Sequence, residues 1–372
     1  MSKVAIVKCE SYDKDEVFAA VKKALELLGG MSSFVKVDEK TLLKPNILAG
    51  EPPEKCVTTH PAVFWAAAKL AQEAGADLVY GDSPGIAGTE SAARKSEIAQ
   101  AAEELAIPLA DFSTPVAVHY PDGKQNKQFT IAKGVEESDC IISIPKLKTH
   151  ALEKYTGAVK NQFGCIPGTL KAEFHVKLPD ADSFAQMLLD LNGYLRPRLC
   201  IMDGVMAMEG NGPRGGTPVK TGVIIAADNP VALDFAACRI INVDPALVPV
   251  VRIGLEGAKE PEILGEPIAN VVRANFNIDR TPIKPAKGRV FMKFAGNRWL
   301  PKPVIDDNRC LKCGVCLRAC PVPHKALDWK AGKTQPPVYD YGKCIRCYCC
   351  QEMCPEKAIR LKKPLVRRLL RK

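Results

Sequence analysis

The sequence predicts an α/β domain with a mainly parallel sheet and helices on both faces, followed by a small α+β module of a different kind. Three observations carry this expectation. Over residues 1–260, apolar β-rich runs alternate with amphipathic helical runs, as in strands joined through helices. Several of those strands run into charged or glycine-rich turns. Nine of the fifteen cysteines then crowd between Cys310 and Cys354. With 372 residues, 47% of them hydrophobic, the chain is long enough for two domains whose cores need no covalent staples.

In chain order, VAIVKC (4–9) reads as a strand and residues 15–28 as an amphipathic helix. TLLKPNI (41–47) is a strand running into a polar turn. Residues 61–76 open on proline and close near glycine, as helices do. A strand and loop (77–85), one helix (90–106), and a second strand and loop (140–150) follow. The remainder reads as a helix (184–195), a strand with its loop (199–205), a strand (222–230) and a helix (231–241). Residues 261–305 are proline-rich and read as a connector with one or two short strands. It is expected to dock the C-terminal module (306–361) against the first domain, leaving 362–372 as a basic tail.

Ligands of open α/β sheets bind outside the carboxyl ends of the strands. Five predicted strands end there in polar turns: Lys44-Pro45-Asn46, Gly81-Asp82-Ser83-Pro84-Gly85, Pro145–His150, Asp203–Gly210 and Asp228-Asn229-Pro230. The repetition points to one shared pocket, with Asn46, Asp82, Ser83 and Asn161 among its polar groups. Lys44, Lys146, Lys148 and Lys160 sit in these turns and would attract an anion, the alternative being solvated surface charge. The stretch Thr156–Gly168 holds three glycines and would offer amide N–H groups beside Lys160. It matches neither a Walker A loop nor G-x-G-x-x-G. His60, His150 and His175 are candidates for acid–base work or for metal binding, with Asp82, Asp203 or Glu209 to orient them. Cys165 is either an inert loop residue or a reactive thiol beside the pocket.

The C-terminal cysteines carry the most specific signal. Cys310-x-x-Cys313-x-x-Cys316-x-x-x-Cys320-Pro321 recurs 34 residues later as Cys344-x-x-Cys347-x-x-Cys350-x-x-x-Cys354-Pro355. This is the bacterial ferredoxin run, in which the fourth cysteine serves the other cluster. Three close thiolates wrap three corners of a cubane and a distant one takes the fourth. The expected cofactors are two [4Fe–4S] clusters: one on Cys310, Cys313, Cys316 and Cys354, the other on Cys344, Cys347, Cys350 and Cys320. Structural zinc, which pairs C-x-x-C units, suits eight cysteines in two such runs poorly. Cys349 lies outside the pattern and reads as a small packing residue.

The formal charge is +10, with eight basic residues against one acid from Pro355 to Lys372. No nucleic-acid motif accompanies it, so no nucleic-acid partner is expected. The tail mixes basic and apolar residues and reads as a solvated end, or as a patch for an acidic partner or an anionic membrane surface. No run of eighteen apolar residues exists, so no transmembrane segment is expected. The start MSKVAIVKCESYDKDE reads as a first strand rather than a targeting segment, which makes the cytoplasm the expected location.

At KPNIL, TTHPAV, GDSPG, PKLKTH, TGAVKNQFGCIPG, DGVMAMEGNGPRGG and ADNPVALD the chain resembles the bacterial and archaeal family of domain of unknown function 362, over roughly residues 4–250. That resemblance implies fusion to a dicluster ferredoxin, as the cysteine runs show here, and leaves the chemistry open. Three functions follow. The first is an oxidoreductase passing low-potential electrons to a small anionic substrate or cofactor, held by the four lysines and protonated by His150 or His175. The second is a catalyst whose metal sits on His60, His150 and His175 with an acid such as Asp82. The third is a non-catalytic carrier or assembly factor for a redox partner protein.

Overall fold

The computed structural model describes residues 1–85, 88–168, 170–178, 180–282 and 301–362. Its strands through the first domain are β1 (Lys3–Lys8), β2 (Lys40–Pro45), β3 (Asp77–Tyr80), β4 (Pro115–His119), β5 (Gln128–Ala132), β6 (Cys140–Ile144), β7 (Lys146–His150), β8 (Lys154–Thr156), β9 (Leu199–Glu209), β10 (Thr217–Ala227) and β11 (Glu262–Gly265). Nine of them form one sheet ordered β11-β1-β10-β9-β6-β2-β3, with β7 beside β9 and β8 on β7; β4 and β5 pair as a separate hairpin. Neighbours β2–β3, β2–β6, β6–β9, β7–β9 and β1–β11 run parallel. Pairs β1–β10, β9–β10 and β7–β8 run antiparallel. The sheet is thus mainly parallel, as expected, with antiparallel pairs on the β1 side and at β7–β8.

The strands read as continuous apolar runs because both faces are covered. In β1, Val4 and Ile6 enter one core while Ala5 and Val7 enter the other, following the two-residue alternation of a strand. Helices Lys14–Leu27 and Pro61–Glu73 cover the second core. Helices Ala181–Leu195 and Pro230–Ile240 cover the first. Asp13, Asp180 and Asn229 cap three of these by accepting from first-turn amides. Among the described residues no helix is long and apolar enough to cross a membrane.

Several expectations need correction. The helix expected at 90–106 is two, Thr89–Lys95 and Ile98–Glu104, because Glu97 adopts a left-handed φ of 60° between them. The segment after Pro145 is strand β7 rather than a loop, held between β8 and β9. Strand β9 likewise continues through the expected turn to Glu209, paired with β10. The turn at Asp228 lies at the opposite end of the sheet, since β10 runs antiparallel to β9; Asp228 meets the backbone N–H of Lys3. Both ends of the expected connector belong to sheets. β11 is the edge strand beside β1, and Lys302–Ile305 pairs with Ile359–Lys362. Residues 283–300 and the tail beyond Lys362 lie outside the described residues.

The C-terminal module packs short helices Val315–Ala319 and Cys349–Glu352 between two small antiparallel pairs. It docks on the chain linking β9 to β10. Gln351 Nε2 donates to the Asn211 carbonyl (3.0 Å) and side-chain oxygen (2.9 Å). Asn211 Nδ2 donates to the Ile359 carbonyl (3.1 Å), and Arg214 to the Met353 carbonyl (2.6 Å). Glu51 pairs with Arg214 and holds it in place.

Candidate functional site: a cavity beside two cysteine nests

The eight run cysteines gather into two small cavities, each lined by four. Cys310, Cys313, Cys316 and Cys354 line one. Cys320, Cys344, Cys347 and Cys350 line the other. The exchange of the fourth cysteine between runs is therefore present in the fold. The loops turn their thiols inward through left-handed residues at matching places, Lys312 and Gly314 in the first run, Arg346 and Tyr348 in the second. The amides of Ala326 and Ala358 donate to Cys320 Sγ and Cys354 Sγ, each at 3.3 Å, which supports thiolate charge. Among the described residues no three Cys, His, Asp or Glu side chains converge on one point as ligands of a lone metal ion do. Thiols spread around a cavity suit a cube of iron and sulfur, and do not suit zinc.

A larger cavity of ≈ 400 Å³ lies between this module and the first domain. One wall consists of Arg318, Ala319, Cys349, Glu352 and Met353, residues interleaved with the run cysteines. Facing them, the ends of β2, β3 and β7 and the segment after β8 contribute Asn46, Asp82, Ser83, Lys148, His150, Lys160 and Asn161. Lys171 and His175 come from the helix Leu170–Lys177.

The four expected lysines divide. Lys44, fully buried, meets Asp82 at 2.8 Å and Asn161 Oδ1 at 3.3 Å, so its charge is already matched behind the cavity wall. Lys146 meets Asp203 (2.7 Å) and the Tyr12 hydroxyl (2.7 Å) away from the cavity. The expectation that these two hold a substrate anion is corrected: each is neutralised by a carboxylate of its own. Lys148 and Lys160 do line the cavity. Lys148 donates to Asn46 Oδ1 and the Val57 carbonyl, and burial, with the Lys160 charge adding, pulls it down to about 7. Lys160 Nζ lies over the rings of Phe163 (5.2 Å) and Phe184 (5.7 Å). Lys171 was not singled out by sequence, because a lone lysine in a helical run carries no signal. Burial pulls it down to about 8.

The histidines divide too. His60 caps its helix and stacks on Tyr12 with ring centroids 3.6 Å apart, outside the cavity. The three-histidine metal site is therefore not assembled. His150 Nδ1 accepts from the amides of Leu152 and Glu153, both at 3.1 Å, and its Nε2 lies 2.7 Å from Glu352 Oε1. Two donors on Nδ1 keep the ring in the Nε2–H tautomer, with the Glu352 carboxylate as its close neighbour. His175 stacks on Phe184 at 4.6 Å, and burial holds it down at about 3. Neither histidine is thus charged near neutral pH, and Lys148 and Lys171 are better placed as acids.

The glycine-rich stretch is not an open loop. It forms the short helix Ala158–Asn161 and a following 3-10 turn. The amides of Ala158 and Val159 donate to Asp234, so they are not offered to a ligand. Gly164 is required by close approach, since a Cβ there meets Asp82 Oδ1 at 1.8 Å. Cys165 is fully buried and pushed up to about 12, an inert thiol. Cys349 packs into the cavity wall.

Glu153 is fully buried with no hydrogen-bond partner on either oxygen among the described residues, and burial pushes it up to about 8. Its folded value exceeds its unfolded one, so the stability it contributes is full at low pH and is lost as pH rises towards about 8. Glu153→Gln is expected to flatten that fall. Urea unfolding at acid and alkaline pH checks it: the variant should gain on the wild type only at the alkaline end.

Comparison with known proteins follows the same division. Residues 41–239 match the family described as "Domain of unknown function (DUF362)", and residues 302–355 match "4Fe-4S dicluster domain". A thylakoid-associated protein of Synechocystis sp. is 37% identical over 257 residues, 68% of this chain and 79% of the relative. Among solved structures, the lactate racemase apoprotein of Thermoanaerobacterium thermosaccharolyticum superposes with a TM-score of 0.38 at 12% identity, over 64% of this chain and 56% of that one. A Thermotoga maritima protein gives 0.34 at 12% identity, over 55% and 53%. This chain spans little more than half the length of either solved protein.

Proposed function

Because the chain belongs to the family of domain of unknown function DUF362 and carries a 4Fe–4S dicluster domain behind it, we propose that it is an oxidoreductase delivering electrons to a small anionic substrate held between the two domains. In this reading the two cysteine nests hold two [4Fe–4S] clusters, which supply low-potential single electrons; a redox partner protein donates them. The observation that carries the proposal is the shared wall. Cys349, Glu352 and Met353 face the cavity while their chain neighbours Cys350 and Cys354 face the cysteine nests, so one short helix separates the two.

The chain's own residues define what is held there. Lys160 has no carboxylate partner among the described residues and is the anion's first contact. A volume of ≈ 400 Å³ is at the small end of ligand sites, which suits a compact organic acid and not a dinucleotide. Lys148 is poised to give up a proton near neutral pH, as adding electrons to carbon or nitrogen requires. Leu48, Pro84, Phe163 and Pro213 keep water from the apolar part of the ligand.

The test is anaerobic re-oxidation. Photoreduced protein is mixed with a panel of small organic acids bearing reducible groups, and the cluster absorbance is followed. One or more acids should re-oxidise the wild type, and the Lys148→Met, Lys160→Met double variant should do so roughly 100-fold more slowly. Equal rates in both proteins would sink the proposal.

A further inference from the structure

Two lysines meet the Gly81–Gly85 turn, and they meet different chemistry. Lys44 faces the Asp82 carboxylate. Lys171 Nζ lies 2.7 Å from Ser83 Oγ and 2.9 Å from the Ile166 carbonyl, and among the described residues it forms no ion pair. The Gly168 amide (2.9 Å) and Lys171 Nζ both donate to Ser83 Oγ, which fixes the oxygen beside the amine; a neutral Lys171 reverses that bond and accepts from the hydroxyl. Ser83 is buried, and both side chains line the cavity.

A serine hydroxyl is a weak nucleophile until a neighbouring base takes its proton, and a lysine is a base only where it sheds its own. Burial is the largest influence on Lys171 and pulls it down; the Asp82 charge opposes this, and Lys44 and Lys160 add to it. Neutral Lys171 then donates one N–H to Ile166 and accepts the Ser83 proton. Among the described residues Lys148 donates only to an amide oxygen and a carbonyl, and Lys160 lies over rings, so neither is hydrogen-bonded there to a hydroxyl it could activate.

We propose that Ser83 and Lys171 are a nucleophile–base pair that accepts an acyl group from an ester or thioester of a small carboxylic acid. Ser83 Oγ bonds the carbonyl carbon, and the bond from that carbon to the leaving oxygen or sulfur breaks. The Ser83 proton passes to Lys171 and from it to the departing alkoxide or thiolate. Water then attacks the acyl-serine with Lys171 again taking the proton, releasing the carboxylic acid and restoring Ser83. The positive charge of Lys160 on the cavity wall favours the oxyanion that forms on the way. No electrons are exchanged, so this activity is measured in the oxidised protein and stands or falls apart from the redox proposal.

Full-length, iron-replete protein is treated with a fluorophosphonate probe, and separately with p-nitrophenyl acetate, and the adduct is located by mass spectrometry. A single adduct on Ser83 is expected, absent in Ser83→Ala. Its rate should rise with pH through about 8 as Lys171 loses its proton. Lys171→Met and Lys171→Arg should each slow it by roughly 100- to 10,000-fold. Arginine preserves the charge and its hydrogen bonds, so a merely structural lysine would be rescued by it. An unlabelled wild-type protein, an adduct elsewhere, a flat pH profile, or an arginine variant as fast as wild type overturns the proposal. Should Lys171→Met lose its iron, the adduct position and pH profile of the wild type still decide.

Discussion

Replacing Cys354 by alanine is expected to remove about four of about eight iron atoms per chain, and to remove them from the first run rather than from its own. Cys354 lies in the second run by sequence but shares its cavity with Cys310, Cys313 and Cys316. Adding Cys310→Ala to Cys354→Ala should therefore cost no further iron, whereas adding Cys344→Ala should abolish the rest. Iron analysis and electron paramagnetic resonance of the reduced variants distinguish these outcomes. A second loss from the Cys310 double variant would show that each run closes on itself. Complete removal of iron has a structural consequence as well. The module's own core consists largely of the cysteines, with Ala326, Leu327, Ala358 and Ile359 as its buried apolar residues. So little apolar surface does not offset the entropy of ordering the chain. Chelated protein should lose the C-terminal fold while the first domain, with two extensive cores of its own, remains.

Asp82→Ala is expected to be the most damaging single change in the first domain, at about 3–5 kcal/mol. Lys44 and Asp82 are both buried and 2.8 Å apart. Without the carboxylate, a lysine charge is stranded with only an amide oxygen and a carbonyl for partners among the described residues. Asp82 also accepts the Ile47 amide at 2.8 Å, which becomes a second orphan. The loss should be much smaller when both partners go together: Lys44→Met with Asp82→Leu removes the pair and leaves no bare charge. Thermal unfolding of the four proteins of this cycle measures the coupling. A double variant as unstable as the sum of the two singles would mean that the pair is not the unit of stability.

The limits of sequence reading show at individual residues. Helix Pro61–Glu73 was legible from its proline start and apolar spacing, and β1 from its apolar run. The strand character of Lys146–His150 was not, because a run of lysines, threonine and histidine resembles a polar turn. Only its place between β8 and β9 makes it a strand. The same holds for the short helix of Ala158–Asn161, where Asp234, far along the chain, accepts the first-turn amides that a glycine-rich sequence alone leaves unassigned. Lys171 and Glu352 carried no signal at all. One is a charge in a helix and the other a charge within a cysteine run, and they reach the same cavity only because two domains meet there.

The order of residues alone determined the two cysteine nests and the α/β alternation. Those are short-range patterns, since three thiolates within seven residues or an apolar period of two need no distant partner. The tertiary structure decided which charges remain free. Lys44, Lys146, Lys148 and Lys160 look alike as letters, yet two are cancelled by carboxylates brought from elsewhere in the chain and two are not. A charge acts according to what lies within a few ångströms of it, and in this fold those neighbours come from segments that the chain places far apart.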